Sequence, residues 1–259
     1  MQVTELHDLR TQGFRSLPGL VPDDELGRLR RAVDELHELA GALTESSGDF
    51  VLEASGVGGW AAWRRGIAPI PGLLRSVQRI HAHVPYFSEL QERLDLVDSV
   101  VTPAVGAPVR MVNSFLWAKP PKVGSEKPWH QDMAFAPPGF DTGHRSVMTV
   151  WIAVDAATES NGCLQFVPGS HLHGLLPHTG ERDDLPASEA VEPQVDPGRV
   201  FPGVTPVSLP LSSGSAVVFD GLILHRSAPN LTQDQPRTAV SFVFEVPRPV
   251  WTRAAVPTP

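Results

Sequence analysis

A single cysteine, Cys163, is all the thiol chemistry available to this chain of 259 residues. An internal disulfide is excluded, and so is a metal cage built from several thiolates, so any metal must be held by histidines and carboxylates. Basic residues are scarce as well. The 21 Lys and Arg against 29 Asp and Glu leave a net charge of −8, which excludes a partner held mainly through phosphate contacts, nucleic acid above all. No apolar run approaches the roughly 18 residues of a membrane span, and the start MQVTELHDLR lacks the basic end and apolar stretch of a secretion signal. We therefore expect no membrane partner and a cytoplasmic protein. Proline is abundant instead, at 26 residues, which breaks long helices and favours loops and short strands. With 41% hydrophobic residues the chain can bury a real core, and a single domain over residues 1–259 is expected.

After Val21-Pro22, the acids Asp23, Asp24 and Glu25 suit a helix N-terminus. Leu26, Leu29, Val33, Leu36 and Ala40 then recur at steps of three and four, so a helix ending before Gly41 should lay one apolar stripe on something larger. Residues 41–70 are rich in glycine around Trp60 and Trp63 and read as a loop. A second helix fits between Leu73 and Leu96, divided by Pro85. From Val109 the character changes. Val109–Trp117, Val147–Val154, Leu164–Val167, Ala216–Phe219, Leu222–Leu224 and Thr238–Val246 are short and rich in β-branched or aromatic residues, as strands are. Residues 171–210 interrupt them without a clear period. The expected architecture is mainly β with flanking helices: a helical N-terminal layer over about 1–100, and a double-stranded β-helix, or jelly roll, of roughly eight strands over about 105–248.

One His-x-Asp triplet occurs, His130-Gln131-Asp132. With ten histidines a lone match is close to chance expectation, so context decides between a surface pair and a metal site. On an extended segment residues two apart share a face, so both side chains could reach one ion. His225 closes the run Leu222-Ile223-Leu224 and could supply a third ligand from a distant strand. Arg237 follows at the start of the next strand, and a charge there needs a partner. Two histidines and a carboxylate leave three positions open, the arrangement of non-haem Fe(II) oxygenases. An arginine beside them could hold a bidentate organic acid in a charge-assisted fork. The pairs His81-Ala82-His83 and His171-Leu172-His173 carry less weight, because the first lies in an expected helix, where residues two apart diverge. Cys163 reads as a small buried apolar residue.

The segments KPPKVGSEKPWHQD (Lys119–Asp132) and NGCLQFVPGSH (Asn161–His171), with Trp151, His225 and Arg237, resemble the phytanoyl-CoA dioxygenase family over about Met111 to Glu245. The resemblance implies Fe(II), 2-oxoglutarate and O2, with His130, Asp132 and His225 as metal ligands. It implies that Arg237 pairs with the 2-oxoglutarate side-chain carboxylate, that Ser227 assists and that Trp151 lines the cosubstrate pocket; Lys119, before two prolines, reads as either a solvated loop residue or a cation of that pocket. The interval from His225 to Arg237 is about one residue longer than is usual there. Halogenating relatives lack the carboxylate that Asp132 supplies, so hydroxylation is the expected outcome, with ring closure, desaturation or epimerisation as variants. The expected substrate is a small natural-product or amino-acid intermediate, touched by Trp60, Trp63, Arg64, Met111, Asn113, Phe115 and Phe135. An acyl-CoA fits an acidic chain with few basic clusters less well. Two rivals are a cupin-like metal enzyme that uses no 2-oxoglutarate, which would leave Arg237 without a role, and a non-catalytic jelly-roll binding module.

Overall fold

In a computed structural model, residues 3–54, 62, 65–179 and 194–248 are described. Among these residues eleven strands run in chain order: β1 Phe14–Leu17, β2 Phe50–Leu52, β3 Leu74–Gln78, β4 Arg110–Lys119, β5 Lys127–His130, β6 Arg145–Ala153, β7 Leu164–Phe166, β8 Val207–Leu209, β9 Ala216–Asp220, β10 His225–Ser227 and β11 Arg237–Pro247. Seven form a sheet ordered β1-β9-β6-β11-β4-β3-β2, and four form a second ordered β5-β10-β7-β8. All pairings between these strands are antiparallel. This is the mainly β, jelly-roll architecture with flanking helices that the sequence pattern implied.

Alternation along the central strands separates two cores. Met148, Val150 and Ile152 of β6, Ala216 and Val218 of β9, and Val240, Phe242 and Phe244 of β11 turn to one side. There they meet Leu26, Leu29, Val33, Leu36 and Ala40 of helix α2 (Asp23–Gly41), which follows the short helix α1 (Val3–Gln12) and carries the stripe expected from periodicity. A fully buried leucine such as Leu29 contributes about 2 kcal/mol by leaving water, so this seam anchors the helical layer. The intervening residues Trp151, Ala153, Val217, Phe219 and Ala239 pack on the opposite side with Leu164 and Phe166 of β7, which joins the two sheets.

Three expectations are corrected. The first hundred residues are not helical throughout, since β1, β2 and β3 all join the large sheet. Leu74–Gln78 is strand β3, and helix begins only at Ile80–His83 and, past Pro85, at Tyr86–Arg93; its edge-on pairing with β4 is a tertiary constraint that local periodicity does not carry. Leu222–Leu224 is a turn rather than a strand, with β10 opening at His225. Among the described residues of 105–248 the strands number eight, β4 to β11, as expected. Among the described residues no helix is long and apolar enough to cross a membrane.

Candidate active site

His130 ends β5 and His225 opens β10, and the two are direct register partners in the small sheet. Their rings lie 4.2 Å apart. Asp132 follows one extended residue later, at the start of a 3-10 turn Asp132–Phe135. Its Oδ1 stands 3.6 Å from the Nε2 of both histidines. Among the described residues this is the one group of three metal-type side chains whose ligand atoms converge, all within 4.8 Å.

Hydrogen bonds fix which atoms face inward. The Nδ1 of His130 meets the carbonyl of Pro128 at 2.7 Å, and that of His225 meets the carbonyl of Ile223 at 3.0 Å. A carbonyl only accepts, so each Nδ1 carries the proton and each Nε2 turns a lone pair toward Asp132. Thr149 of β6 donates to Asp132 Oδ2 at 2.7 Å and leaves Oδ1 aimed at the same point. Burial and then the neighbouring His225 push the His130 pKa down to about 4. Burial alone would raise the Asp132 pKa, but His225, His130 and Thr149 outweigh it and hold the carboxyl well below its ordinary range. Two imidazole Nε2 atoms and a carboxylate oxygen that converge on one point can surround a cation, and two imidazoles with one carboxylate suit Fe(II). The donor set fits that ion.

Sequence reasoning missed the brace behind this triad. Gln131 is fully buried. Its amide nitrogen donates to the carbonyls of Gly174 and Leu222, its amide oxygen accepts from Leu176 N–H, and its own backbone N–H donates to His178 Nε2. One side chain thus ties the His130–Asp132 segment to the turn that delivers His225. A polar residue between two ligand candidates was the only signal in the sequence.

The triad opens on a cavity of about 840 Å³ that is also lined by Arg237, Ser227, Trp151, Lys119, Asn113, Phe115 and Phe135. Arg237 opens β11 opposite Lys119. It is 3% exposed, its Nε has no hydrogen-bond partner, and its Nη1 reaches only the carbonyl of Trp117 at 3.5 Å. The guanidinium lies 5.6 Å from the centre of the Trp151 ring. Burial and then Arg75 lower its pKa to about 9, so it is charged at neutral pH and desolvated, a costly state without an anion.

Lys119 is differently engaged. Its Nζ donates to the carbonyls of Ser125, Ser227 and Ala228 at 2.7, 3.0 and 2.6 Å. Burial and then Arg237 and Arg75 press its pKa down, but three acceptors match the three N–H bonds of an ammonium group. The close approach of Ala228 needs Gly162 of the Asn-Gly-Cys turn, at φ +90°, because a Cβ there would collide with the Ala228 carbonyl. Cys163 beside it is buried, and burial raises its thiol pKa.

Met111 is a correction. It shares strand parity with Asn113 and Phe115, but a bulge leaves Val112 unpaired between Asn113↔Val243 and Met111↔Phe244. A one-residue bulge flips the face, and Met111 packs on the helical core instead. Trp60, Trp63 and Arg64 lie outside the described residues. The other histidine pairs have ordinary partners: His81 meets Ser114, His83 meets Asp49, and His171 meets the Arg10 carbonyl.

The family model described as phytanoyl-CoA dioxygenase (PhyH) matches residues 9–239. Phytanoyl-CoA dioxygenase domain-containing protein 1 of Danio rerio is 25% identical over 285 residues, covering 95% of this chain and 91% of its own. Among solved structures, EvdO2 from Micromonospora carbonacea var. aurantiaca, complexed with 2-oxoglutarate, aligns with a TM-score of 0.68 and 28% identity over 100% of this chain and 94% of its own. AviO1 from Streptomyces viridochromogenes Tue57 aligns with a TM-score of 0.67 and 25% identity, covering 100% and 98%. These relatives also correct one expectation. The phytanoyl-CoA dioxygenases of Homo sapiens, Rattus norvegicus and Mus musculus are peroxisomal by name, the human one being 27% identical over 90% of this chain and 64% of its own. The cytoplasmic assignment therefore does not stand. Compartment is also set by short receptor-read addresses, which a missing membrane span or secretion signal does not exclude.

Proposed function

The chain belongs to the phytanoyl-CoA dioxygenase family, and from that premise we propose that His130, Asp132 and His225 hold iron(II), that Arg237 receives the far carboxylate of 2-oxoglutarate, and that the cavity presents one C–H bond of a small organic substrate for oxidation. The enzyme is a non-haem Fe(II)- and 2-oxoglutarate-dependent dioxygenase. One observation carries this reading: a converging His-Asp-His donor set shares its cavity with a desolvated guanidinium whose Nε is unpartnered. A cupin-like enzyme without 2-oxoglutarate would have no use for that cation.

When bound, iron(II) supplies the dioxygen chemistry that oxidises a C–H bond while 2-oxoglutarate is converted to succinate and carbon dioxide. The carbonyls of Pro128 and Ile223 hold both imidazoles in the tautomer that presents Nε2. Thr149 holds the carboxylate rotamer of Asp132, and Gln131 keeps the two ligand-bearing segments in register. Arg237, in a dry pocket beside Trp151, forms a stronger charge-assisted fork with a carboxylate than it would in water. Ser227 borders the same end, while Lys119 fixes the loop around it and adds positive charge. Phe115, Phe135, Val147 and Val243 exclude water and set the pose of the substrate, which decides the atom that reacts. Hydroxylation of a natural-product or amino-acid intermediate is the outcome we favour, with the whole chain acting as one domain.

The test is anaerobic. Iron(II) and then 2-oxoglutarate are added to the metal-free protein, and the visible charge-transfer band of a chelated complex is recorded. The band should form, vanish in His130→Ala and weaken in Arg237→Ala. A folded protein that binds iron without forming the band would overturn the 2-oxoglutarate assignment.

A further inference from the structure

Beyond the triad and Arg237, the cavity has a charged mouth that the reading above leaves unused. Glu245 of β11 is 8% exposed, yet two arginines share its carboxylate: Arg110 of β4 at 2.8 Å and Arg145 of β6 in direct contact. Their side chains are 70% and 55% exposed. Two guanidinium groups on one carboxylate leave one positive charge in excess, and Arg110 and Glu245 both line the cavity. From the small sheet, the Lys127 ammonium also lines the cavity, 4.5 Å from the centre of the Phe135 ring. A chain of net charge −8 has therefore gathered cations at the mouth of its cavity. The four positions, 110, 127, 145 and 245, are scattered in sequence, which is why no basic cluster was legible there.

Strand register supplies a distance. Thr149, which holds Asp132, pairs with Val243, two residues from Glu245 on the same strand. At about 3.4 Å per residue the charged row lies roughly 7 Å along the sheet from the level of the metal ligand. Val147 pairs with Glu245 and Val243 with Thr149, so both levels present an apolar side chain, with Asn113 beside Val243; Phe135 and Phe140 also line the cavity, and Phe115 lies deeper, level with Trp151.

We propose that the substrate is an amphipathic anion, with a carboxylate, sulfonate or phosphate group held at the Arg110–Glu245–Arg145 mouth and an apolar body reaching about 7 Å inward to the carbon that is oxidised. This rests on the iron and 2-oxoglutarate reading for which end reacts, but not for the charge preference. Arg110 is the specificity-determining residue: it makes one bond to Glu245 and keeps donors to spare for a ligand.

The test uses two fluorescent probes that share one aromatic skeleton, 8-anilinonaphthalene-1-sulfonate and the neutral N-phenyl-1-naphthylamine. Each is titrated under nitrogen into enzyme loaded with iron(II) and saturating 2-oxoglutarate, with the charge-transfer band recorded throughout. The sulfonate should bind about tenfold more tightly than the neutral probe, an advantage that fades between roughly 0.05 and 0.5 M salt. Arg110→Gln should remove most of that advantage and leave the neutral probe unchanged, and Arg110→Lys should restore part of it. Equal affinities, binding of neither probe, or equal losses for both probes in Arg110→Gln would overturn the proposal. So would loss of the band on adding the sulfonate, because the anion preference would then belong to Arg237. A wild-type protein that never forms the band would instead sink the iron reading, and with it the assignment of the inner end as the reacting one.

Discussion

Replacing Thr149 by valine removes one hydroxyl from the site and changes little else. The residue is 3% exposed, sits mid-strand in β6 between β9 and β11, and makes its ladder bonds through the backbone. Valine has nearly the same shape and favours strands. What is lost is a 2.7 Å hydrogen bond to an ionised carboxylate, a class of bond that contributes about 1.5–3 kcal/mol. Freed of it, Asp132 can rotate its Oδ1 away from the two Nε2 atoms. The structure therefore predicts that Thr149→Val weakens iron(II) binding by roughly ten- to a hundredfold, with a thermal midpoint within a few degrees of wild type. Anaerobic iron(II) titration, followed by the charge-transfer band at saturating 2-oxoglutarate, measures the first quantity, and thermal unfolding of the metal-free proteins the second. Thr149→Ser, which keeps the hydroxyl, should retain most of the affinity. If the valine variant binds iron within about twofold of wild type, the loss expected of a carboxylate-positioning hydrogen bond is absent and the reasoning fails.

Arg237→Met should raise the 2-oxoglutarate concentration needed for half-maximal succinate formation by about a hundredfold or more, the cost of losing a buried charge pair, while leaving the thermal midpoint of the unliganded protein unchanged or higher, since a desolvated cation is removed. Lys119→Met should destabilise the protein by about 3 kcal/mol in urea denaturation, because three carbonyls lose their donor in a buried site. His130 has a folded pKa of about 4, below its unfolded value near 6.5. Between these values the unfolded chain binds the proton and the folded one does not. The stability of the metal-free protein should therefore fall by up to about 3 kcal/mol as pH drops from 6.5 toward 4, and His130→Gln should flatten that slope.

The fold class was legible because it depends on local pattern. Periodicity reported the α2 stripe, and runs of β-branched and aromatic residues reported the long strands β4, β6 and β11. β1 and β3 were not legible. Phe14–Leu17 is partly buried at every position, so it shows no alternation, and Leu74–Gln78 is a strand only because β4 offers it an edge. The site divides in the same way. His130, Asp132, His225 and Arg237 could be picked out by residue type and by position at the ends of apolar runs. Gln131, Thr149 and the Arg110–Glu245–Arg145 mouth could not, because each acts through a partner at least 17 residues away. Met111 failed for a subtler reason: the bulge at Val112 is a property of pairing with β11 and leaves no mark in the β4 sequence.

The placement of the ligands has a mechanical consequence. His130 and His225 belong to neighbouring strands of the small sheet, whereas Asp132 is held by a threonine from the middle of the large one. A bound ion therefore ties the sheets together across the cavity, on the side where no hydrophobic cluster joins β5 to β6 among the described residues. Binding to the folded form alone stabilises by about 2.7 kcal/mol at a hundredfold excess over the dissociation constant, which in a chain of this size corresponds to roughly 5–10 °C in thermal midpoint. Stripping the metal with a chelator should lower the midpoint by that amount. If the ion acts as a cross-sheet tie, hydrogen exchange in the metal-free protein should quicken most in residues 127–135 and 221–227, and Thr149→Val should show a smaller metal-dependent shift than wild type at the same free iron. A midpoint indifferent to metal, or an equal shift in the valine variant, would mean that the triad is held by the small sheet alone and that Thr149 does not transmit the ion's binding to β6.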